Sequence, residues 1–228
     1  MPDQTHVLLT DRDLELFLWI NSHRYVQARQ IFRHLGVSEK YYRRLSQLVS
    51  AGWLVHETIF KGMPGHYKCS KNATDIAEDT LPPPREVSLA TYHHDMLVVD
   101  LAIALETKGK WITEKHLRQG EGNEPGLRAF SAHYPDGLIE LATGQRIAIE
   151  LERTATKTAS RITKILRSYA SCSSAVKNVN GVMYFCFTES SRKKVAAAVE
   201  QSGVGNLVKV RMLSEILKGG ATHGIGAR

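Results

Sequence analysis

Three carboxylates crowd the stretch from Tyr134 to Lys157, YPDGLIELATGQRIAIELERTATK: Asp136, Glu150 and Glu152. Ile147, Ile149 and Leu151 alternate with Arg146, Ala148, Glu150 and Glu152, the period of a strand with one buried face. Both glutamates therefore leave the same face. Leu138-Ile139-Glu140-Leu141 reads as a second short strand, and Ala142-Thr143-Gly144-Gln145 as the turn between them. Folding that hairpin brings Asp136 level with Glu150, to within a residue of register. Carboxylates so placed repel and raise each other's pKa unless a cation sits between them. A hard divalent ion, Mg²⁺ or Mn²⁺, held by oxygen ligands and water, is the expected occupant. The alternative is a surface hairpin edge with solvated acids, which the buried character of IAIEL disfavours.

The spacing PD-x13-E-x-E resembles the PD-(D/E)XK nuclease core, in which an Asp and a Glu on adjacent strands hold Mg²⁺ for phosphodiester cleavage. The chain departs from that pattern at position 152, where Glu replaces the Lys. The following helix can supply the missing cation. Lys157, Arg161 and Lys164 lie at i, i+4 and i+7, one stripe of a helix whose other side carries Ile162, Ile165, Leu166 and Tyr169. Lys157 is nearest the strand end and is expected to meet charge developing on a phosphate, with Arg161 and Lys164 along the DNA. A solvated basic face is the competing reading.

Thirty Lys and Arg against 23 Asp and Glu leave a formal charge of +7 on 228 residues, a balance that favours a polyanionic partner. The 43% hydrophobic content is ample for one large domain or two small ones and excludes bulk disorder. No apolar run approaches a membrane span, and the N-terminus lacks signal-peptide form. Cys69, Cys172 and Cys186 contain no C-x-x-C pair and read as free thiols of a reducing cytoplasm.

Ahead of the acidic hairpin, Thr10 to Asp13 forms a capping-box start to a first helix. Val26 to Leu35 reads as a second helix ended by Gly36, and EKYYRRLSQLVSAG as a third, capped by Ser38 and stopped by Gly52. Trp53 to Phe60 is a strand, Lys61 to Gly65 a turn, and His66-Tyr67-Lys68 the return strand. Three helices and a two-stranded hairpin make a winged helix-turn-helix over residues 1–80. Its third helix would enter the major groove with Lys40, Tyr41, Arg43, Arg44 and Gln47, while Lys61, His66 and Lys68 lie in the wing. LPPPRE gives a stiff linker over 81–88. Residues 89–214 follow as helix, three strands, helix, strand, helix, strand, the αβββαβ order of a PD-(D/E)XK nuclease-like α+β (α/β) domain. In this stretch Tyr92 to Glu106 is an apolar helix carrying His94 and Asp100, Trp111 to Arg118 a strand, and Gln119 to Gly126 a polar loop. Residues 215–228 read as a flexible tail.

A winged helix, a Pro-rich linker, then YHHDMLVVDLAIAL, YPDGLIEL and IAIELERTATKTASRITKIL resemble the replication-relaxation family, which includes the MobC-type relaxases that mobilise plasmids. The most specific shared set is H-D-x-x-x-x-D, P-D and E-x-E in this order, and the resemblance runs from about Leu9 to Leu213 at the level of the fold. It implies a cytoplasmic protein that nicks or relaxes double-stranded DNA at a plasmid origin, with a second copy of itself (a homodimer) and accessory mobilisation or coupling proteins as candidate partners. Asp136 and Glu150, helped by Glu152, would hold the metal. Asp100 would add a direct or outer-sphere ligand, and His94 would contact phosphate or orient a carboxylate. Water is the expected nucleophile; Tyr92 and Tyr134 are the tyrosines nearest the acids should a covalent adduct form. Two rivals remain open: a non-catalytic DNA-binding regulator of plasmid replication or transcription, and an endonuclease that breaks both strands.

Overall fold

The computed structural model describes residues 7–84, 86–120, 133–176 and 179–217, with side chains as far as residue 170 in the helix that ends at Val176. The expected tail beyond residue 217, most of the loop over 119–126 and the Cys172 side chain lie outside the described residues. Two compact units divide between Val99 and Asp100, C-terminal to the Pro-rich stretch where the sequence suggests a linker. The fold is mixed α+β, with one antiparallel three-stranded sheet and one mixed five-stranded sheet.

In the first unit, α1 (Asp11–Ser22) begins at a capping box in which the Thr10 N–H donates to Asp13 Oδ2 at 2.8 Å. Next come β1 (Val26–Gln27), α2 (Ala28–Leu35), a 3-10 turn at Glu39–Tyr41, α3 (Tyr42–Ser50), β2 (Leu54–Glu57), β3 (His66–Cys69) and α4 (Lys71–Ile76). The sheet order is β1-β3-β2. Several boundaries differ from the sequence reading: the third helix opens as a 3-10 turn and becomes α-helical only at Tyr42, and the strand expected over Trp53 to Phe60 is confined to Leu54–Glu57. Val26 and Gln27 pair with Tyr67 and His66, so the second helix starts only at Ala28; a β-branched residue gains more on a sheet than in a first turn. After Ser70, within the span read as the winged helix-turn-helix, the chain adds a helix, α4, whose cap accepts the Ala73 N–H at 3.3 Å.

The second unit takes the last part of α5 (Tyr92–Leu105), then β4 (Gly109–Thr113), α6 (Glu114–Gln119), β5 (Gly137–Leu141), β6 (Arg146–Glu152), α7 (Ala159–Val176), β7 (Gly181–Cys186), α8 (Glu189–Ser202) and β8 (Val208–Met212). Its sheet runs β4-β5-β6-β7-β8, antiparallel as far as β6 and parallel from β6 to β8. The strand expected over Trp111 to Arg118 stops at Thr113. Thr113 instead caps α6 by accepting the His116 N–H, and Gly120, at φ +71°, ends that helix. A capping hydroxyl and a left-handed glycine bracket six residues, and together they end the strand at Thr113 and turn the rest of that stretch into helix.

Ile112, Leu138, Ala148, Val182, Tyr184 and Cys186 on the sheet meet Ile162, Leu166 and Tyr169 of α7 and Val195 and Ala198 of α8 in one buried core. Glu150 and Glu152 share a strand face with Ala148 and are themselves 1% and 4% exposed. The acids therefore sit at the end of the apolar layer, not on a wet edge.

Candidate functional site

The hairpin turn sets the register of the site. Leu141 N donates to Gln145 O at 2.8 Å, and Gly144 takes φ +77°, a conformation that costs a glycine nothing. Gly137 then pairs with Ile149, which sets Asp136 beside Glu150 one step further on. Gly137 also leaves room for the Trp111 indole: a Cβ there would lie 2.1 Å from the ring. Asp136 Oδ2 accepts the Leu151 N–H at 2.7 Å, which ties the carboxylate across the hairpin's open end.

Glu150 is met by two side chains that the sequence reading did not single out. His133 Nε2 lies 2.7 Å from Oε1, and the Tyr169 hydroxyl donates to the same oxygen. Oε2 has no hydrogen bond among the described residues. The imidazole stands edge-on to the Tyr169 ring, with centroids 6.1 Å apart, and is 28% exposed. Burial pushes the Glu150 carboxyl above its ordinary value, and the Asp136 charge pushes it the same way; the bonds from His133 and Tyr169 only partly offset this. For His133, burial alone would lower the pKa, but the bond and charge of Glu150, with the charge of Asp136, outweigh burial and raise it.

Glu152 is occupied differently. Lys157 Nζ stands 2.9 Å from its Oε2, at an angle outside hydrogen-bond geometry, so the contact acts chiefly as charge against charge. Burial would lower the Lys157 pKa, but Glu152 first, then Glu150 and Asp136, raise it. Lys157 is thus held cationic within electrostatic reach of all three acids. Below them the Tyr184 hydroxyl, fully buried and paired in register with Glu150, has no hydrogen-bond partner among the described residues. Burial, with the charges of Glu150, Glu152 and Asp136, raises its pKa well above the ordinary value.

The three expected acids therefore fall together, with Lys157 beside them. Asp100 is buried and His94 half-buried on α5, on opposite sides of the division between the units. Arg161 and Lys164 are exposed on α7. Of the tyrosines, Tyr92 is buried among Tyr25, His66 and Phe60, and Tyr134 lies under the Arg118 guanidinium at 4.6 Å.

Among the described residues no three His, Cys, Asp or Glu side chains close into a metal-holding group. Mg²⁺, however, commonly takes one or two carboxylates and fills its shell with water and substrate phosphate. Asp136 and Glu150 fit that requirement: both are hard oxygen donors, they are adjacent across the hairpin, and Glu150 keeps an oxygen free of hydrogen bonds. Glu152, paired with Lys157, is less suited to the role of ligand that the spacing suggests.

In the first unit a surface groove of about 430 Å³ is lined by Val37, Ser38, Lys40, Tyr41, Arg43, Arg44 and Gln47. Lys40, Arg43 and Gln47 are exposed there, and Arg12 stacks over the Tyr41 ring at 5.6 Å. Arg44 is turned away from the fully exposed face expected for it: its Nη2 and Nε reach Asp13 at 2.5 and 3.1 Å. Lys68 is likewise paired with Glu57 at 2.7 Å, whereas Lys61 is exposed at the turn. His66 is buried outright; its Nε2 is 3.5 Å from Glu57 Oε2, but neither ring nitrogen has a hydrogen bond among the described residues, and burial lowers its pKa. Cys69 and Cys186 are buried, and neither forms a disulfide among the described residues. No helix among the described residues is long and apolar enough to cross a membrane.

Compared with known proteins, the chain matches no family model and no curated protein.

Proposed function

We propose that the chain is a DNA-binding, metal-dependent nicking protein, similar to the plasmid-mobilising relaxases of the replication-relaxation family. In this reading the first unit is a winged helix-turn-helix and the second a PD-(D/E)XK nuclease-like domain. The observation that carries it is the pair Asp136 and Glu150, level across one hairpin, with the half-buried Lys157 ion-paired to Glu152 at the end of the same strand. Purely structural acids gain nothing from such crowding, whereas a phosphodiester-cleaving site needs it.

Asp136 and Glu150 would hold Mg²⁺ or Mn²⁺; when bound, the ion polarises the scissile phosphate and makes water a competent nucleophile. Glu152 keeps Lys157 protonated and aimed, and Lys157 meets the negative charge that grows on the phosphate oxygens. Arg161 and Lys164, exposed on α7, take neighbouring backbone phosphates. Lys40, Arg43 and Gln47 on and before α3 contact a duplex near the origin, with Lys61 of the wing on its backbone. Arg44 supports that helix from behind through Asp13.

The test is a nicking assay on supercoiled plasmid carrying the protein's own origin region, with Mg²⁺ or Mn²⁺, using wild type and Glu150→Ala, each with and without proteinase. Open-circular product from wild type alone supports the reading; product released only by proteolysis transfers the chemistry to a tyrosine. The ion-paired state of Glu152 favours one rival, a DNA-binding regulator with a degenerate nuclease fold. Intact DNA binding without nicking in both proteins selects that rival.

A further inference from the structure

Two bonds converge on one oxygen of Glu150, and they come from opposite sides of the chemistry: a half-exposed imidazole and a fully buried phenol. A buried glutamate has three rotatable side-chain bonds and, without partners, would sample several carboxylate orientations. His133 and Tyr169 remove that freedom. Tyr169 is anchored in α7 among core residues and cannot follow a moving carboxylate. His133 stands against the Tyr169 ring, so each clamp also fixes the other. Because both donate to Oε1, the opposite oxygen is the one left without a hydrogen bond among the described residues.

We propose that His133 and Tyr169 are positioning residues which lock Glu150 so that Oε2 is the oxygen presented to a divalent cation beside Asp136. This rests on the metal-dependent reading above. Donors that orient a ligating carboxylate typically govern metal affinity by a factor of roughly 10 to 100. Neither residue needs to touch the substrate.

The experiment is a titration of the full chain with Mn²⁺ alone, free Mn²⁺ being read by electron paramagnetic resonance, alongside thermal melting without metal. Tyr169→Phe and His133→Ala are expected to weaken Mn²⁺ binding roughly 10- to 100-fold. His133→Gln, whose amide can place a donor near the position of Nε2, is expected to recover most of the affinity. Wild-type affinity in Tyr169→Phe and His133→Ala overturns the proposal, even if both melt at lower temperature, because that pattern marks a merely structural role. His133→Gln as weak as His133→Ala also overturns it. If Tyr169→Phe fails to fold, the two variants at the half-exposed position 133 decide alone. Absence of Mn²⁺ binding by wild type would instead overturn the metal reading itself, and this assignment with it.

Discussion

Asp13 in the first unit and Glu150 in the second are each 1% exposed, yet their surroundings treat the charge in opposite ways. Burial raises the Asp13 pKa, but the Arg44 guanidinium and the donors of Thr10 more than reverse that, and the carboxyl ends below its ordinary value. Glu150 ends above its ordinary value. Its partners are an imidazole and a neutral phenol, and a second acid stands beside it. Equal burial therefore has two meanings. Asp13 is a joint between α1 and α3, with every electrostatic demand met by a full positive charge. Glu150 is kept where the protein alone stabilises its anion poorly, the condition in which an added cation or substrate has most to offer.

The sharpest way to break this comparison is activity. Glu150→Gln keeps the shape and the clamping bonds but loses the charge, and nicking of supercoiled plasmid should fall to background. Lys157→Ala should slow nicking by roughly 10²–10³-fold while leaving Mn²⁺ affinity, measured on the protein alone, close to wild type. Retained nicking in either variant would place the chemistry elsewhere.

Stability separates the two acids next. Arg44→Ala strands a buried carboxylate and should cost about 2 kcal/mol, less than the ~3–5 kcal/mol of a fully enclosed pair because Arg44 is 24% exposed. Urea titration reads this directly. The pH dependence should also differ in sign. For Asp13 the folded pKa is depressed, so its stabilisation is present above the ordinary 3.8 and is lost as pH falls through the lower folded value. For Glu150 the folded pKa is raised, so stability declines as pH rises from the ordinary 4.5 through that higher value. Urea midpoints of wild type, Asp13→Asn and Glu150→Gln across that range should show each slope vanish with its own residue. The smallest effect is expected at the groove: Arg43→Ala should weaken duplex binding about equally for all sequences and reduce the salt slope by about one unit if it contacts phosphate.

Much of this comparison is legible in the sequence, and what is missing has a physical cause. The hairpin could be read because period-two alternation and a Thr-Gly turn fix both strand and register, and those place Asp136 against Glu150. The first unit's capping box was legible for the same local reason. The site itself was legible in its acids and in Lys157. His133 was not: it sits three residues before Asp136, outside any periodic segment, and only the folded chain brings it 2.7 Å from Glu150. Tyr169 looked like helix packing because its ring is packed; no pattern records where a buried hydroxyl points. Arg44 misled in the converse way, since helical periodicity places it among exposed residues while a long side chain can reach back to Asp13. The short helix α6 escaped because Trp111-Ile112-Thr113 begins as a strand, and only the Thr113 cap and the left-handed Gly120 mark the six helical residues that follow.

The most direct measurement pairs the two acids in one experiment: unfolding free energies of Asp13→Asn and Glu150→Gln by urea titration near neutral pH, with plasmid nicking scored on the same preparations. Asp13→Asn should lose about 2 kcal/mol. Glu150→Gln should be as stable as wild type or more so, as replaced functional groups often are, while losing its nicking. A Glu150→Gln variant that unfolds as easily as Asp13→Asn and still nicks would make Glu150 another structural joint and contradict the account.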